Sequence, residues 1–202
     1  MTAATTTGRT RDPGRKEKIL ASAAQLVARN GFHAVSMSDI GTDAGITGSG
    51  IYRHFDSKAA ILVALFERVI DDLLGDEARI LDQEQDLLRA VGLLVDGQVE
   101  FVVGDRAIAQ VYHNEIQNLP DEDRRRLRRK QRLYLEEWVH LLRELRPGLD
   151  DAYARTLVHA AIGAIQSTLF HNVGLPEDRL RTALAASAHA ALFSDGDPTP
   201  VA

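Results

Sequence analysis

The sequence lacks several features that would indicate particular classes of protein. With no cysteine among 202 residues, disulfide bonds, thiolate nucleophiles and Cys-ligated metals are excluded, and a reducing cytoplasm is a compatible location. Residues 1–15 contain no apolar segment of the kind that a secretory signal needs. The longest stretch without Asp, Glu, Lys or Arg, residues 156–176, contains two His and two Gly, so it predicts a helix packed against protein. We therefore expect a cytoplasmic protein that has no membrane partner.

Common catalytic motifs are also missing from the sequence. There is no Gly-rich phosphate loop, no Gly-x-Ser-x-Gly elbow and no His-Glu-x-x-His pair, and the seven histidines are dispersed. His113 and Glu115 are separated by one residue, so they would point to different faces of a helix. We expect no enzymatic activity, no catalytic or metal site and no cofactor.

Charge is distributed unevenly along the chain. The net charge of −5, from 24 basic and 29 acidic residues, argues against nucleic-acid binding when it is taken as a whole. Residues 1–60, however, contain 8 basic and 5 acidic residues, a net +3, and the remainder contains 16 basic and 24 acidic residues, a net −8. A basic head on an acidic body indicates that one end of the chain contacts an anionic surface.

Apolar residues recur with the spacing of α-helices almost throughout, and no segment shows sustained alternation of the kind expected for strands. The pattern predicts an all-α protein of about nine helices. After a first helix that begins at Asp12-Pro13 and ends at Asn30-Gly31, the predicted helices cover about 36–45, 47–53, 57–74, 85–103, 105–118, 121–145, 150–172 and 177–193.

The segment 36–58 contains the pattern of a helix-turn-helix. Ser36 followed by Asp39 predicts a helix start with a capping box, and Gly45 predicts its end. Thr47 begins a second short helix that directs Ile51 inward. Two short helices joined by a Gly-containing turn are typical of DNA-binding units.

The same segment resembles the DNA-binding signature of the tetracycline-repressor (TetR) family. The family pattern Thr-x-x-x-Ile-Ala-x-x-Ala-Gly-Val-Ser, followed by Leu-Tyr-x-His-Phe-x-Ser-Lys, is matched at eight positions and approximated at four. The identical positions are Ile40, Ala44, Gly45, Tyr52, His54, Phe55, Ser57 and Lys58, and the conservative ones are Ser36, Ile46, Thr47 and Ile51. Gly41 departs from the family's Ala, and Gly48-Ser49-Gly50 gives the second helix no long side chain.

The resemblance implies a division into four parts. We expect a flexible basic arm (1–12), a three-helix DNA-binding head (13–73), a larger ligand-binding and dimerisation domain (74–194) and a frayed tail (195–202). The second short helix would enter the major groove of an operator. The predicted DNA contacts are Arg15, Ser36, Thr47, Gly48, Ser49, Tyr52, Arg53, His54 and Lys58. The alternative is that Tyr52 and His54 only pack within the head, and that the N-terminal arginines form a solvated tail.

The last two predicted helices favour a homodimer. One is uncharged and the other is rich in Ala, which suits close packing in a four-helix bundle formed by two subunits. The predicted interface residues are His159, Gly163, Ser167, His171 and Ala188. Two-fold symmetry would then require a palindromic operator in double-stranded DNA.

Polar groups on apolar helices indicate where the body binds a small-molecule effector. The candidates are Tyr112, His113, Glu115, Trp138, Gln166 and Phe170. The run 121–132 begins acidic and continues basic, and it would form a cationic lip for an anionic ligand, with a solvated helix face as the alternative. The stretch 106–145 is similar to the sensing domains of the family's fatty-acid and sterol regulators, which implies an acyl-CoA-like effector.

Two other functions are compatible with parts of this pattern. A constitutive DNA binder without a ligand would have the same head. A helical enzyme or a scaffold protein would account for the body but not for the order of residues in 36–58.

Overall fold

The computed structural model describes residues 13–46, 50–171 and 173–194. Within those residues the chain forms eight α-helices and two short 3-10 helices, and it forms no strand. The α-helices are α1 (Pro13–Asn30), α2 (Met37–Asp43), α3 (Lys58–Gln83), α4 (Leu87–Gly104), α5 (Arg106–Asn114), α6 (Asp121–Leu145), α7 (Asp151–Gln166) and α8 (Glu177–Leu192). The 3-10 helices are Ile51–Arg53 and Ile116–Asn118. The prediction of an all-α protein is confirmed.

The N-terminal head is built from α1, α2, the Ile51–Arg53 turn and the start of α3. Ile19, Ile40, Ile51 and Phe55 meet in its core, where each is at most 6% exposed. Gly31 follows α1 with φ of +79°, the left-handed conformation that suits glycine after the last helical turn. These elements therefore surround the head's part of the apolar core, which holds α2 in a fixed position.

Helix α3 is the longest element and joins the head to the body. The sequence pattern placed its end near Gly75, but the helix continues to Gln83 and crosses the predicted domain boundary at residue 73. The apolar stripe explains the extension, because Ile80 is buried beyond Gly75. One glycine costs about 1 kcal/mol in a helix, less than burial of the next apolar turn contributes.

The body is a bundle of α4 to α8 packed around α3. Helices α7 and α8 pack against each other, and α4 and α6 contact both α3 and α7. Ion pairs join neighbouring helices at the surface, as in Arg181 with Glu100, where Nε and Oε2 are 2.8 Å apart. The buried residues of head and body form one continuous apolar core.

Helix α7 ends six residues before the predicted end at 172. Its continuation is replaced by turns, because the side chains of α5 bind the backbone there. Arg106 donates hydrogen bonds to the carbonyl oxygens of Thr168 and His171, and Gln110 donates to that of Leu169.

In the part of the chain that the structure describes, none of the helices has both the length and the apolar character needed to cross a bilayer.

Candidate DNA-binding surface and effector cavity

The turn of the helix-turn-helix is fixed by caps at both ends of α2. The backbone N–H of Asp39 donates to Ser36 Oγ (3.1 Å), and the N–H of Ser36 donates to Asp39 Oδ2 (2.9 Å), which completes the predicted capping box. The hydroxyl of Ser36, which donates to Asp39 Oδ2 (2.7 Å), and the N–H of Ser36 lower the pKa of Asp39. At the other end, Gly45 has φ of +68°, and the N–H of Ile46 donates to the oxygen of Gly41 (2.7 Å). This is a Schellman motif, so α2 cannot extend and the chain turns toward Ile51.

Gly41, which departs from the family pattern, lies in the core of this turn. A Cβ at this position would meet the carbonyl oxygen of Ile46 at 3.4 Å and Cβ of Ile51 at 3.7 Å. Both distances are ordinary van der Waals contacts, so an Ala fits the same backbone. The departure therefore leaves the geometry of the helix-turn-helix intact.

The predicted DNA contacts occupy different environments. Tyr52 is 57% exposed and Arg53 is also exposed, so both side chains are free to reach a partner, and His54 is half-buried. Ser36 and Arg15 are exposed as well. Thr47, Gly48 and Ser49 lie outside the described residues, and so do Arg9 and Arg11. Contact of all these residues with DNA remains a prediction.

Lys58 has a structural role that the sequence did not reveal. Its Nζ donates hydrogen bonds to the carbonyl oxygens of Phe32 and Val35, the latter at 2.5 Å, and it lies 4.3 Å from the centre of the Phe32 ring. The side chain therefore fastens the start of α3 to the segment between α1 and α2. An ammonium group has three donors, so one N–H remains for a DNA phosphate.

A cavity of about 370 Å³ lies in the body between α3, α4, α5, α6 and α7. Its apolar wall consists of Ile70, Leu73, Phe101, Ile116, Leu135 and Ile162. Its polar wall consists of Gln98, Tyr112, His113, Arg128, Gln131, Tyr134, His159 and Gln166. Among the described residues that line it there is no Asp or Glu, so its only formal charge at neutral pH comes from Arg128 when the histidines are neutral. Its volume is in the range of ordinary small-molecule sites.

The six predicted effector residues divide into two sets. Tyr112, His113 and Gln166 line the cavity. Trp138 is 2% exposed and packs edge-on against Tyr134 with 5.9 Å between ring centres, behind the wall. Glu115 accepts a hydrogen bond from Asn118, and Phe170 is 46% exposed beside His113. The structure therefore brings together three of the six, and ligand binding by any of them remains a prediction.

The remaining cavity residues could not be found from the sequence. Ile70, Leu73 and Gln98 look like ordinary members of amphipathic stripes, and only the crossing of five helices leaves a space beside them. Arg128 was included in the predicted cationic lip, and it is the residue of that run that lines the cavity. His159 was predicted at the dimer interface and lines the cavity as well.

Buried polar atoms without partners cluster near the cavity. Tyr112 Oη, Trp138 Nε1 and Glu77 Oε1 are buried and make no hydrogen bond within the described parts of the chain. Burial raises the pKa of the Tyr112 hydroxyl. Burial, with a smaller contribution from Glu137, raises the pKa of Glu77 from 4.5 to about 8, so this carboxyl is mostly neutral at pH 7.

The predicted interface residues lie mostly on the protein surface. His159, Gly163 and Ser167 are exposed on one side of α7 and the turn after it, and His171 is exposed in the following segment. Ala188 is different, because it is 0% exposed and packs inside the protomer. It cannot contact a second subunit in this fold. The exposed small residues of α8 are instead Thr182, Ala183, Ala186, Ser187 and Ala190.

Comparison with known proteins identifies relatives of the helix-turn-helix head. Residues 19–65 match the family described as bacterial regulatory proteins, tetR family. The predicted resemblance of the head to the DNA-binding domain of TetR regulators is confirmed over these residues.

Two curated relatives show how far the similarity extends. The chain is 30% identical over 111 residues to the HTH-type transcriptional repressor KstR2 of Rhodococcus jostii, a match covering 55% of this chain and 54% of that protein. It is 24% identical over 161 residues to the fatty acid metabolism regulator protein of Bacillus subtilis, covering 77% of this chain and 83% of that protein. The match therefore spans only about half the length of the first relative. Both are regulators rather than enzymes, in agreement with the expectation from the sequence.

Solved structures share the whole fold. A TetR-family transcriptional regulator from Bordetella parapertussis superposes with a TM-score of 0.81 at 23% identity, covering 91% of this chain and 96% of that one. The regulator FadR of Bacillus subtilis, in complex with stearoyl-CoA, superposes with a TM-score of 0.69 at 21% identity, covering 87% of this chain and 95% of that one. At these identities the comparison establishes the fold alone.

Proposed function

We propose that this protein is a dimeric transcriptional repressor that binds a palindromic operator and is released from it by a small-molecule effector, with an acyl-CoA thioester as the candidate. The observation that carries the proposal is the path of α3. One end of this helix bears Lys58, which fastens the helix-turn-helix, and the same helix supplies Ile70 and Leu73 to the cavity wall. A ligand that displaces α3 therefore acts directly on the DNA-binding head.

The charge distribution supports DNA binding by the head and rejection of DNA by the body. The head is basic and presents Tyr52 and Arg53 at its surface, and residues 61–202 carry a net −8. Contacts with DNA phosphates favour binding through the basic head. Electrostatic repulsion between DNA and the acidic body disfavours complexes in which the body faces the DNA. A modest +3 gives weak affinity per head, so two heads on one palindrome are needed for tight binding.

The dimer is supported by the exposed faces of α7 and α8. Both faces consist of small or weakly polar side chains, among them Gly163 and Ala186. Small residues allow helices to approach closely, and two such helices from each subunit complete a four-helix bundle. The symmetry of this bundle would place the two heads on successive major grooves.

An anionic acyl effector is supported by the side chains at the cavity. Arg128 lines the cavity, and Arg125 and Arg129 are exposed beside it on the same face of α6. These three side chains form no ion pair among the described residues. Phosphates or a carboxylate would supply the missing counter-charge. FadR of Bacillus subtilis binds stearoyl-CoA in a protein of the same fold, which favours the thioester.

The test is an operator-release experiment. An operator selected from a random duplex library is bound by the purified protein, and acyl-CoAs from butyryl to stearoyl are added while DNA binding is followed by fluorescence anisotropy. We expect at least one chain length to lower operator affinity about tenfold or more, corresponding to a coupling free energy of about 1.4 kcal/mol. If no acyl-CoA changes operator binding, the proposal of an acyl effector is wrong, and a constitutive DNA binder is favoured. If no operator can be selected, the proposal that the protein is a DNA-binding regulator is wrong.

A further inference from the structure

The polar wall of the cavity offers hydrogen-bond donors in excess of acceptors. Arg128 is a donor only, and the amides of Gln131 and Gln166 can donate, while no carboxylate lines the space among the described residues. Such a wall disfavours cationic ligands, which need an acidic partner. It favours ligands that carry oxygen acceptors.

Gln98 is the most constrained of these donors. Its side chain lies on α4, is 4% exposed and lines the cavity. Tyr134 Oη donates to its Oε1 over 3.1 Å, and Tyr134 is itself buried and packed against Trp138. This contact assigns the oxygen of the amide to Tyr134 and leaves its Nε2, which donates no hydrogen bond among the described residues, for another partner.

Because Gln98 lines the cavity, a ligand oxygen placed there can accept a hydrogen bond from its Nε2. The donor is held in place before the ligand arrives, so little conformational entropy is lost when the bond forms. The same geometry penalises a ligand of equal shape that has no oxygen at this position, because the amide then stays unpaired.

We infer that Gln98, held by Tyr134, is a specificity-determining residue that donates a hydrogen bond to the carbonyl oxygen of an acyl effector. This inference rests on the proposed function and assigns a position within its ligand. The acyl chain then lies along the apolar wall formed by Leu73 and Ile162, and the anionic end of the ligand is directed toward Arg128.

The size of the cavity sets the length of the acyl chain. An apolar cavity of about 150 Å³ accepts benzene, which has six non-hydrogen atoms. By this ratio 370 Å³ holds roughly fifteen such atoms. A chain of about twelve carbons therefore fits together with its carbonyl group.

The test compares two probes that differ only at the carbonyl. Dodecanoyl-CoA contains the thioester oxygen, and S-dodecyl-CoA is the thioether that lacks it. Their dissociation constants are measured by calorimetry on the wild type, on Gln98→Met and on Gln83→Met, a control that alters an exposed glutamine at the end of α3, away from the cavity lining. We expect the wild type and Gln83→Met to bind the thioester about five- to tenfold more tightly than the thioether, and Gln98→Met to reduce this preference to less than twofold.

General damage to the fold of a variant would weaken binding of both probes. The ratio of the two dissociation constants therefore reports on the contact with the carbonyl oxygen. Tyr134→Phe provides a second reading, since it releases the Gln98 amide without removing it and should reduce the preference to an intermediate value. A preference that persists unchanged in Gln98→Met would overturn the assignment while leaving the acyl effector in place. If neither probe binds the wild type, the acyl effector and this inference both fail.

Dodecanoate, the free acid, distinguishes the two sources of an acyl oxygen. If it binds more tightly than the thioester and loses affinity about fivefold or more in Gln98→Met, the assignment of Gln98 stands and the effector is the acid. If it binds more weakly, the thioester is retained as the ligand of Gln98.

Discussion

At the scale of single residues, Lys58 has a role in the fold of the head in addition to its predicted contact with DNA. The ammonium of Lys58 holds two carbonyl oxygens of the segment between α1 and α2. Its partners belong to backbone that no pattern of side chains could identify, so the sequence predicted only the contact with phosphate. Tyr52, by contrast, is an exposed side chain as its predicted role requires.

The two residues should therefore respond differently to truncation. We expect Lys58→Ala to lower stability by about 1.5–3 kcal/mol, the usual contribution of charge-assisted hydrogen bonds, and also to weaken operator binding. Tyr52→Ala should weaken operator binding without changing the melting temperature, because it leaves the core of the head untouched. Thermal unfolding and a salt titration of operator affinity measure both effects. A salt slope that Lys58→Ala leaves unchanged would assign Lys58 to the fold alone, whereas a loss of about one unit indicates a phosphate contact.

Glu77 makes the stability of the protein depend on pH. Because its pKa is about 8 in the folded state and 4.5 ordinarily, the folded state binds more protons than the unfolded state between these values. The free energy of unfolding should therefore fall as pH rises from about 4.5 to 8 and level off above. This contribution reaches about 3–5 kcal/mol at pH 8.

Replacement of this carboxyl by an amide isolates the effect. We expect Glu77→Gln to be more stable than the wild type by a few kcal/mol at pH 8 and nearly equal to it at pH 4.5. Urea unfolding at several pH values gives both curves, and their difference removes the contributions of all other titrating groups. Parallel curves for the two proteins would show that Glu77 titrates normally.

At the scale of helices, the sequence predicted elements best where local signals agree with packing. Helix α6 begins after Pro120 and ends at Leu145, before Pro147, as predicted. The end of α3 was misplaced because Gly75 is a weak signal against the apolar residues beyond it. The end of α7 was misplaced because Arg106, about sixty residues away in sequence, binds the backbone there. Long-range contacts of this kind leave no mark in the local pattern.

Gly75 offers a direct test of α3 as a continuous helix. It lies inside the helix, is exposed, and a Cβ there would have no atom within 4 Å. Gly75→Ala should therefore stabilise the protein by about 0.5–1 kcal/mol, because alanine loses less backbone entropy on folding. Chemical denaturation measures the change. A neutral or destabilising result would mean that α3 bends or ends at this position.

At the scale of the whole molecule, the sequence predicted an all-α fold with a helix-turn-helix at its N-terminal end, but it did not predict the cavity. The charge split and the pattern in 36–58 suffice for the head, since local caps and a small core determine it. The cavity depends on how five helices cross, and that is decided by many weak contacts between residues far apart in sequence. Three of the six predicted effector residues line it, because a polar side chain on an apolar helix face can indicate a cavity. The same pattern also selected three residues that lie elsewhere.

The dimer is the whole-molecule property that the exposed faces of α7 and α8 predict. Ala186→Glu introduces a carboxylate into the predicted four-helix interface, where burial of an unpaired charge is costly. We expect the dimer dissociation constant to rise about a hundredfold or more, and operator affinity to fall with it. Light scattering after gel filtration measures the first effect. Ala78→Glu, at an exposed alanine of α3, is the matched control and should remain dimeric, and equal behaviour of both variants would place the interface elsewhere.

The length of α3 allows it to act as a lever. From Ile70 at the cavity to Lys58 in the head there are twelve residues, or about 18 Å of helix. A tilt of about 5° around the cavity would move the head by about 1.6 Å, and opposite movement in a second subunit would double the change in spacing between heads. Successive major grooves are about 34 Å apart, so a change of about 3 Å misaligns both heads against a register that the duplex fixes. A ligand that moves α3 by less than an ångström at the cavity would thus change the distance between the two heads, so that it no longer matches the spacing of the major grooves. The structure inside each head would stay the same.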